Sequence, residues 1–186
     1  MTLTVLCDLY NAFDVINYNI LMTKLEFYGI RGISRKWIIK YLSDRTQYVE
    51  FDKHISTLCS IDCGVPQGSI LGPLLYLIYV NDVAYATDAK LFSFADDTSL
   101  CVSDSNSSTL FQTANIEINK LYDSFYANRL FLNAKKNKYI VLTSPYIKCA
   151  LDDLNVVING IPINRIGKNI KEDSSIFLGI SIGEHH

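Results

Sequence analysis

The sequence is poor in the residues that build metal clusters and disulfide frameworks. It has only three histidines, and two of them lie at positions 185 and 186. Its five cysteines are scattered and form no Cys-x-x-Cys pair: Cys7, Cys59, Cys63, Cys101 and Cys149. These features argue against a structural zinc site and against a disulfide framework. We expect an intracellular protein with reduced thiols, nuclear or cytoplasmic, because the sequence does not separate these locations.

Long apolar runs and a surplus of one charge are also missing. The longest apolar run, LLYLIYV at 74–80, is far shorter than the roughly 20 residues of a membrane span. The N-terminal stretch MTLTVLCDLY has too short an apolar part for a signal peptide, so we expect no membrane segment. The net charge is only −2, and the 49% of hydrophobic residues can build a core. A length of 186 residues suits one domain, alone or within something larger.

Charge is distributed unevenly along the chain. Residues 82–104 contain five acids and one base, whereas residues 120–148 contain six bases and one acid. An acidic segment beside a basic one is typical of a cation site next to a polyanion. The alternative is that both segments are solvated faces.

The hydrophobic pattern predicts an α+β fold, with a mainly antiparallel sheet and helices packed on one face. We expect helices at 15–28, from a cap at Ser34, from Pro73 to about Asp82 (apolar all round and therefore buried) and at 108–126. We expect strands at TLTVLCDL, RLFL, KYIVLT and SIFLGISI, and hairpins at TQYVEF with ISTLCSID, on either side of Asp96–Asp97, and around Asn159–Gly160.

Three acids stand where strands end. Asp8 ends the first strand, and Asp96 and Asp97 lie at the tip of a hairpin about ninety residues later. If the two strands are neighbours, three carboxylates converge and repel each other unless cations neutralise them. Oxygen ligands of this kind suit Mg²⁺, and two such ions can promote phosphoryl transfer. The alternative is a solvated turn, in which Asp is common.

Four stretches in a fixed order carry a family resemblance. They are CDLYNAFDVINYNILMTKLEFYGI, GVPQGSILGPLLYLIYVND, FADDTSL and NRLFLNAKKNKYIVLT. Together they resemble reverse transcriptases of non-LTR, LINE-type retrotransposons. The resemblance covers nearly the whole chain, as far as a primer-gripping strand at FLGI near residue 179. It implies the palm of an RNA-directed DNA polymerase, with RNA template, DNA primer and dNTP as partners and two Mg²⁺ ions as cofactors, for which Mn²⁺ can substitute.

The resemblance also implies roles for single residues. Asp8, the Leu9 carbonyl, Asp96 and Asp97 match the metal ligands, with Asp97 the weaker one. Lys136 matches the lysine that approaches the pyrophosphate leaving group. Phe13 matches the steric gate against a 2′-hydroxyl, its alternative being an ordinary core aromatic. Gln67 matches the contact to nucleotide or template, and Pro66 and Gly68 hold that loop close to backbone atoms.

The sequence departs from the family pattern at several points. Asn11 stands where Lys is frequent, and Asn137 stands where Thr is usual, so each is expected to weaken a contact. Asp14 belongs to the motif but is expected to be structural. The fingers and thumb of the family have no counterpart, and no endonuclease domain is visible. We therefore expect a partial reverse transcriptase domain over 1–186, with the missing segments supplied by a longer gene product.

Two functional hypotheses remain open at this point. The first is a polymerase palm that transfers deoxynucleotidyl groups from dNTP to a primer 3′-hydroxyl. The second is a truncated retrotransposon relic that folds or binds nucleic acid without turnover. A different two-metal enzyme, such as a nucleotide cyclase, would leave GVPQGSILGP unexplained.

Overall fold

The computed structural model describes residues 1–133, 135–144 and 154–166, together with two strands at 174–177 and 180–183. The chain divides into two compact units, one made of Met1–Tyr10 and the chain from Asp82 onward, the other of Asn11–Asn81. The described residues form four helices: α1 (Tyr18–Phe27), α2 (Gly32–Leu42), α3 (Leu71–Val80) and α4 (Ser107–Ala127). A 3₁₀ turn follows α3 at Asn81–Tyr85. The strands described are β1 (Thr2–Asp8), β2 (Thr46–Gln47), β3 (Glu50–Phe51), β4 (His54–Ile55), β5 (Cys59–Ser60), β6 (Lys90–Phe94), β7 (Asp97–Ser103), β8 (Lys138–Leu142), β9 (Val157–Ile158), β10 (Ile161–Pro162), β11 (Asn164–Arg165), β12 (Ser174–Phe177) and β13 (Ile180–Gly183).

A five-stranded sheet organises the first unit. Its strand order is β11-β8-β1-β7-β6, so the N-terminal strand lies at the centre. All neighbours are antiparallel except β11, which runs parallel to β8. The predicted α+β fold with a mainly antiparallel sheet is therefore confirmed.

The two faces of β1 differ in chemistry. Because successive side chains of a strand point to opposite faces, Leu3, Val5 and Cys7 share one face. All three are buried. Helix α4 covers this face, where Phe111 packs edge-on against Tyr139, the β8 partner of Val5. The other face carries Thr2, Thr4, Leu6 and Asp8.

Helix α4 forms where the sequence predicts it. Asn106 caps the helix by accepting a hydrogen bond from the Thr109 N–H at 3.1 Å. A stripe of buried side chains recurs every three or four residues: Leu110, Phe111, Ala114, Ile118, Leu121 and Phe125. The helix ends before Arg129, whose φ of 54° is left-handed.

The second unit contains α1, α2, α3 and the short strands between them. Helix α1 is capped by Asn17 and is followed by Gly29, the predicted stop, whose φ is 85°. The predicted cap at Ser34 is wrong, because the N-cap is Arg31 and the helix begins at Gly32. The predicted hairpin is present as the pairs β2–β5 and β3–β4.

Three other predictions need correction. Helix α3 is apolar all round but not buried all round, because it packs through one face and leaves Leu74 and Leu77 more than half exposed. RLFL forms only an isolated bridge, between Leu9 and Leu132. The last predicted strand is two strands, β12 and β13, that pair with each other. Residues 178 and 179 of the expected primer-gripping strand lie outside the described residues.

Among the described residues, every helix is too short or too polar to span a membrane.

A buried carboxylate fastens the loop before β6 to α4. Glu117 is only 6% exposed. Its Oε2 accepts hydrogen bonds from the Thr87 hydroxyl and the Asp88 N–H, and its Oε1 lies 2.8 Å from the Lys120 Nζ. Burial alone would raise the pKa of Glu117, but the hydrogen bonds from Lys120, Thr87 and Asp88 outweigh it and lower the pKa to about 2.

We expect Glu117→Gln to destabilise the chain by about 1–3 kcal/mol at neutral pH, because it weakens a charge-assisted hydrogen-bond network. A lowered folded-state pKa stabilises the protein above the ordinary value of 4.5, and this contribution is lost as the pH falls towards 2. Urea unfolding at several pH values should therefore show a gap between wild type and variant that closes below pH 4.5. Asp123→Asn, an exposed change on the same helix, serves as the control. A gap that is constant from pH 7 to pH 2 would contradict this assignment.

Candidate active site

Asp8 and Asp97 face each other across the pair β1–β7. They are direct partners in the antiparallel register, which continues through Cys7 with Thr98 and Leu6 with Ser99. Directly opposed Cα atoms lie about 4.5–5.5 Å apart, and their side chains share a face. That face is the one that α4 leaves uncovered. Two acids from distant parts of the sequence are thereby brought together, as predicted from the strand pattern.

Asp96 occupies a different position. It lies with Ala95 in the two-residue turn between β6 and β7, and Ala95 has a left-handed φ of 53°. Asp96 is therefore a turn residue and not a strand partner of Asp8, whose partner in the register is Asp97. Among the described residues, no group of three or more His, Cys, Asp or Glu side chains is placed to hold a metal ion. The expected convergence of three carboxylates is thus reduced to an opposed pair with the third acid in the adjoining turn.

Lys136 supplies the nearest described countercharge to Asp8. Its Nζ lies 3.2 Å from the Asp8 Oδ2, and both side chains are partly exposed. The family resemblance implies a position near the leaving group for this lysine, and in the structure its ammonium lies beside the first acid. A cation at this distance offsets the repulsion between Asp8 and Asp97.

The backbone around Asp8 is held on the side of β8. The Asn133 N–H donates to the Asp8 carbonyl at 2.8 Å, and the Asp8 N–H donates to the Asn137 Oδ1 at 2.9 Å. Leu9 follows with a buried side chain, and its backbone forms an antiparallel bridge with that of Leu132. Because backbone groups alternate in direction along a strand, the Leu9 carbonyl points to the opposite edge, that of β7.

The residue preceding Asp8 adds no charge to the site. Cys7 lies on the face covered by α4 and is 1% exposed. Burial raises the pKa of its thiol to about 12, so it stays neutral at physiological pH.

Two aromatic rings extend the face that carries the acids. Phe94 pairs with Asp97, and Phe92 pairs with Ser99, so both rings share that face. They are 71% and 59% exposed. Neither ring was predicted as a site residue, although the alternation of aromatic and polar residues in KLFSF is the signal that could have identified them.

In the second unit, the loop before α3 is bound to the segment that follows β1. The Val65 N–H donates to the Phe13 carbonyl and the Gly64 N–H donates to the Ile16 carbonyl, both at 2.8 Å. The Gln67 Nε2 donates to the Asp14 Oδ1 at 2.8 Å. These contacts bring Phe13, Asp14 and Gln67 together. The structural role expected for Asp14 therefore takes the form of holding Gln67.

Phe13 has a defined ring partner in the same unit. Its ring stacks on that of Tyr76 in α3, with centroids 4.5 Å apart and planes inclined by 29°. Phe13 is half-buried whereas Tyr76 is only 2% exposed, so a fixed ring supports a partly accessible one.

Gly64 and Gly72, and not the predicted Gly68, are the glycines that allow backbone segments to approach closely here. A Cβ at Gly68 would meet nothing within 4 Å, and only its φ of 78° favours glycine. By contrast, a Cβ at Gly64 would lie 2.6 Å from the Asp14 carbonyl oxygen, and one at Gly72 would lie 2.5 Å from that of Pro66. Pro66 also accepts a hydrogen bond from the Ser69 hydroxyl at 2.7 Å.

We expect Gly64→Ala to destabilise the second unit by about 2–4 kcal/mol, since it combines left-handed strain with a clash against backbone. Gly29→Ala is the matched control, because Gly29 has nearly the same φ (85° against 82°) and open space around its Cβ. Its cost is expected to be about 1 kcal/mol, from strain alone. Thermal unfolding of both variants checks this difference, and equal losses of stability would contradict it.

Comparison with known proteins identifies the family. A family model described as reverse transcriptase (RNA-dependent DNA polymerase) matches residues 2–182. Similar curated proteins from Drosophila melanogaster are the probable RNA-directed DNA polymerase from transposon X-element (35% identical over 106 residues, 51% of this chain and 11% of the relative) and that from transposon BS (32% over 113 residues, 53% and 12%). The RNA-directed DNA polymerase from mobile element jockey is 37% identical over 68 residues, 32% of this chain and 7% of the relative.

A solved structure agrees in fold. Apo telomerase from Candida tropicalis, truncated from its C-terminal domain, matches 98% of this chain and 34% of its own with a TM-score of 0.57 and 16% identity. The aligned parts are about a tenth of the curated relatives in length. Since the family model matches almost the whole sequence, this chain belongs to the reverse transcriptase family, and its similarity to these transposon enzymes places it with the LINE-type members.

Proposed function

We propose that this chain is the palm of an RNA-directed DNA polymerase that adds deoxynucleotides to a DNA primer on an RNA template during retrotransposition. The observation that carries the proposal is the register of β1 and β7, which sets Asp8 directly opposite Asp97 on the face that α4 leaves uncovered. Opposed carboxylates repel each other, and a cation bound between them would lower that cost beyond what Lys136 does from one side.

Divalent metal ions fit this donor set. Mg²⁺ prefers oxygen ligands and is usually bound by one or two carboxylates together with substrate phosphates. Asp8 and Asp97 would supply the carboxylates, the Leu9 carbonyl would add a backbone oxygen, and Asp96 would contribute from the adjoining turn. Two bound Mg²⁺ ions, or Mn²⁺ in their place, would activate the primer hydroxyl and stabilise the charge on the transferred phosphoryl group.

The chain's own residues would position the substrates. Phe92 and Phe94 present exposed rings beside the acids, and rings of this kind stack on nucleic-acid bases. Phe13, supported by Tyr76, would lie under the sugar of the incoming dNTP. Gln67, held by Asp14 on the loop of Pro66 and Gly68, would contact the nucleotide or the template. The Lys136 ammonium would be available to the pyrophosphate as a charge partner or proton donor.

We expect Asp97→Asn to abolish primer extension, with a loss of at least about 100-fold, because it removes a charge from the metal-binding pair. The assay measures dTTP incorporation by the purified chain on poly(rA)–oligo(dT) with Mg²⁺. Asp123→Asn, on the exposed side of α4, should incorporate at the wild-type rate. Full activity in Asp97→Asn would refute the polymerase proposal. Mn²⁺ binding without incorporation by wild type would favour the non-catalytic relic instead.

We expect Phe13→Ala to lower the preference for dTTP over UTP by at least about tenfold, which corresponds to 1.4 kcal/mol. The reason is that the ring stacked on Tyr76 would leave no room for a 2′-hydroxyl. The ratio of kcat/KM for the two nucleotides on poly(rA) measures the effect. Phe27→Ala, which removes an 82% exposed ring from the same unit, is the control. An unchanged ratio in Phe13→Ala would show that Phe13 is an ordinary packing residue.

A further inference from the structure

Asn133 and Asn137 form hydrogen bonds with both polar groups of the Asp8 backbone. Asn133 donates its N–H to the Asp8 carbonyl at 2.8 Å, and Asn137 accepts the Asp8 N–H with its side-chain oxygen at 2.9 Å. Asn137 is 3% exposed, so the acceptor of this hydrogen bond is buried. An amide hydrogen bond of this kind resists competition from solvent better than an exposed one.

Asn133 closes the turn that carries these contacts. Its carbonyl accepts hydrogen bonds from the N–H groups of Lys136 at 2.9 Å and Asn137 at 3.0 Å. Its side-chain oxygen accepts a third, from the Lys135 N–H at 3.3 Å. These hydrogen bonds hold the backbone of Lys136 and Asn137 beside the same acid, to which both side chains bond.

The Asn137 side chain takes the place of a backbone acceptor in β8, because the pairing of β8 with β1 ends before Asp8. The pairing of β1 with β8 reaches only as far as Leu6 with Lys138. On the other side, the pairing of β1 with β7 continues two residues further, to Asp8 with Asp97. The Asp8 N–H therefore points to an edge without a backbone partner from β8, and the Asn137 amide oxygen takes the place of a strand carbonyl.

The choice of a neutral acceptor matters at this position. A carboxylate at 137 would accept the same hydrogen bond but would add a third negative charge to the Asp8–Asp97 pair. An aliphatic side chain would leave the Asp8 N–H without its acceptor in a shielded place, which costs free energy and lets the end of β1 move.

We propose that Asn137 is a positioning residue for the metal-binding pair. It extends the sheet by one side-chain hydrogen bond, keeps Asp8 in strand geometry opposite Asp97, and thereby sets the affinity of this site for divalent cations. The cation-binding part of this inference rests on the proposed function, whereas the backbone part does not.

The first test compares Mn²⁺ binding to the purified chain by electron paramagnetic resonance. Asn137→Leu, which is similar in volume but lacks the acceptor, should weaken binding at least about tenfold, the change expected when a supporting contact of a metal ligand is lost. Asn137→Asp keeps the acceptor and adds charge, so it should bind Mn²⁺ at least as tightly as wild type. Both variants are expected to lose thermal stability, because each places an unsuitable group in a buried position. A purely structural role would instead weaken binding in both.

The second test reads the backbone directly. Amide hydrogen exchange at Asp8, followed by NMR, should be slow in wild type and in Asn137→Asp, and at least about tenfold faster in Asn137→Leu. Asn128→Ala serves as a control, because Asn128 is also buried but bonds to Ser124 at the end of α4. It should leave both the exchange at Asp8 and Mn²⁺ binding unchanged. If Asn137→Leu does not fold, Asn137→Ser replaces it, since its hydroxyl is too short to reach the Asp8 N–H.

The outcomes separate this inference from the proposed function. Wild-type exchange and Mn²⁺ binding retained within twofold in Asn137→Leu would overturn the positioning role while leaving the metal site intact. Absence of Mn²⁺ binding in wild type, or binding that survives Asp97→Asn, would overturn the metal site, and with it the cation-binding part. Slow exchange that depends on Asn137 would in that case support only the backbone role.

Discussion

The antiparallel pairing of β1 with β7 is the constraint on which the candidate site depends. Its register places Asp8 against Asp97, and a slip by one residue would turn the side chains of one strand to the other face. The register is held by burial, because Leu3, Val5 and Cys7 must all point towards α4. The same alternation that builds the core therefore places two like charges opposite each other on the other face, where the Lys136 ammonium beside Asp8 offsets part of their repulsion.

Around this pair, the first unit uses buried polar groups at the places where backbone pairing ends. Beyond the last β1–β8 pair, the Asn137 amide takes over the role of a strand carbonyl. Before β6, the Glu117 carboxylate holds the Thr87 hydroxyl and the Asp88 N–H against α4. In both cases a side chain satisfies a donor that the sheet leaves unpaired, as buried backbone groups require. The two differ in charge: Glu117 is balanced by Lys120, whereas a neutral amide stands next to the acids.

In the second unit, close contacts between backbone segments hold the motif residues together. Gly64 lies against the backbone of Asp14, and Gly72 lies against the carbonyl of Pro66. Only residues without a Cβ allow these approaches. As a result, the loop with Gln67 and the segment with Phe13 form one hydrogen-bonded arrangement, in which the motif residues support one another rather than projecting separately.

The sequence by itself determined the family, the α+β class and the ends of the strands that carry Asp8 and Asp97, because strand alternation and the motif spacing are local properties of the chain. It also located α4, whose apolar stripe and cap are local. Only the tertiary structure decided that Asp97 rather than Asp96 opposes Asp8, that Asn137 accepts the Asp8 N–H, and that α3 is apolar without being fully buried. These facts depend on register, on the conformation of a turn and on which face finds a partner, and each is set by contacts between residues far apart in the sequence.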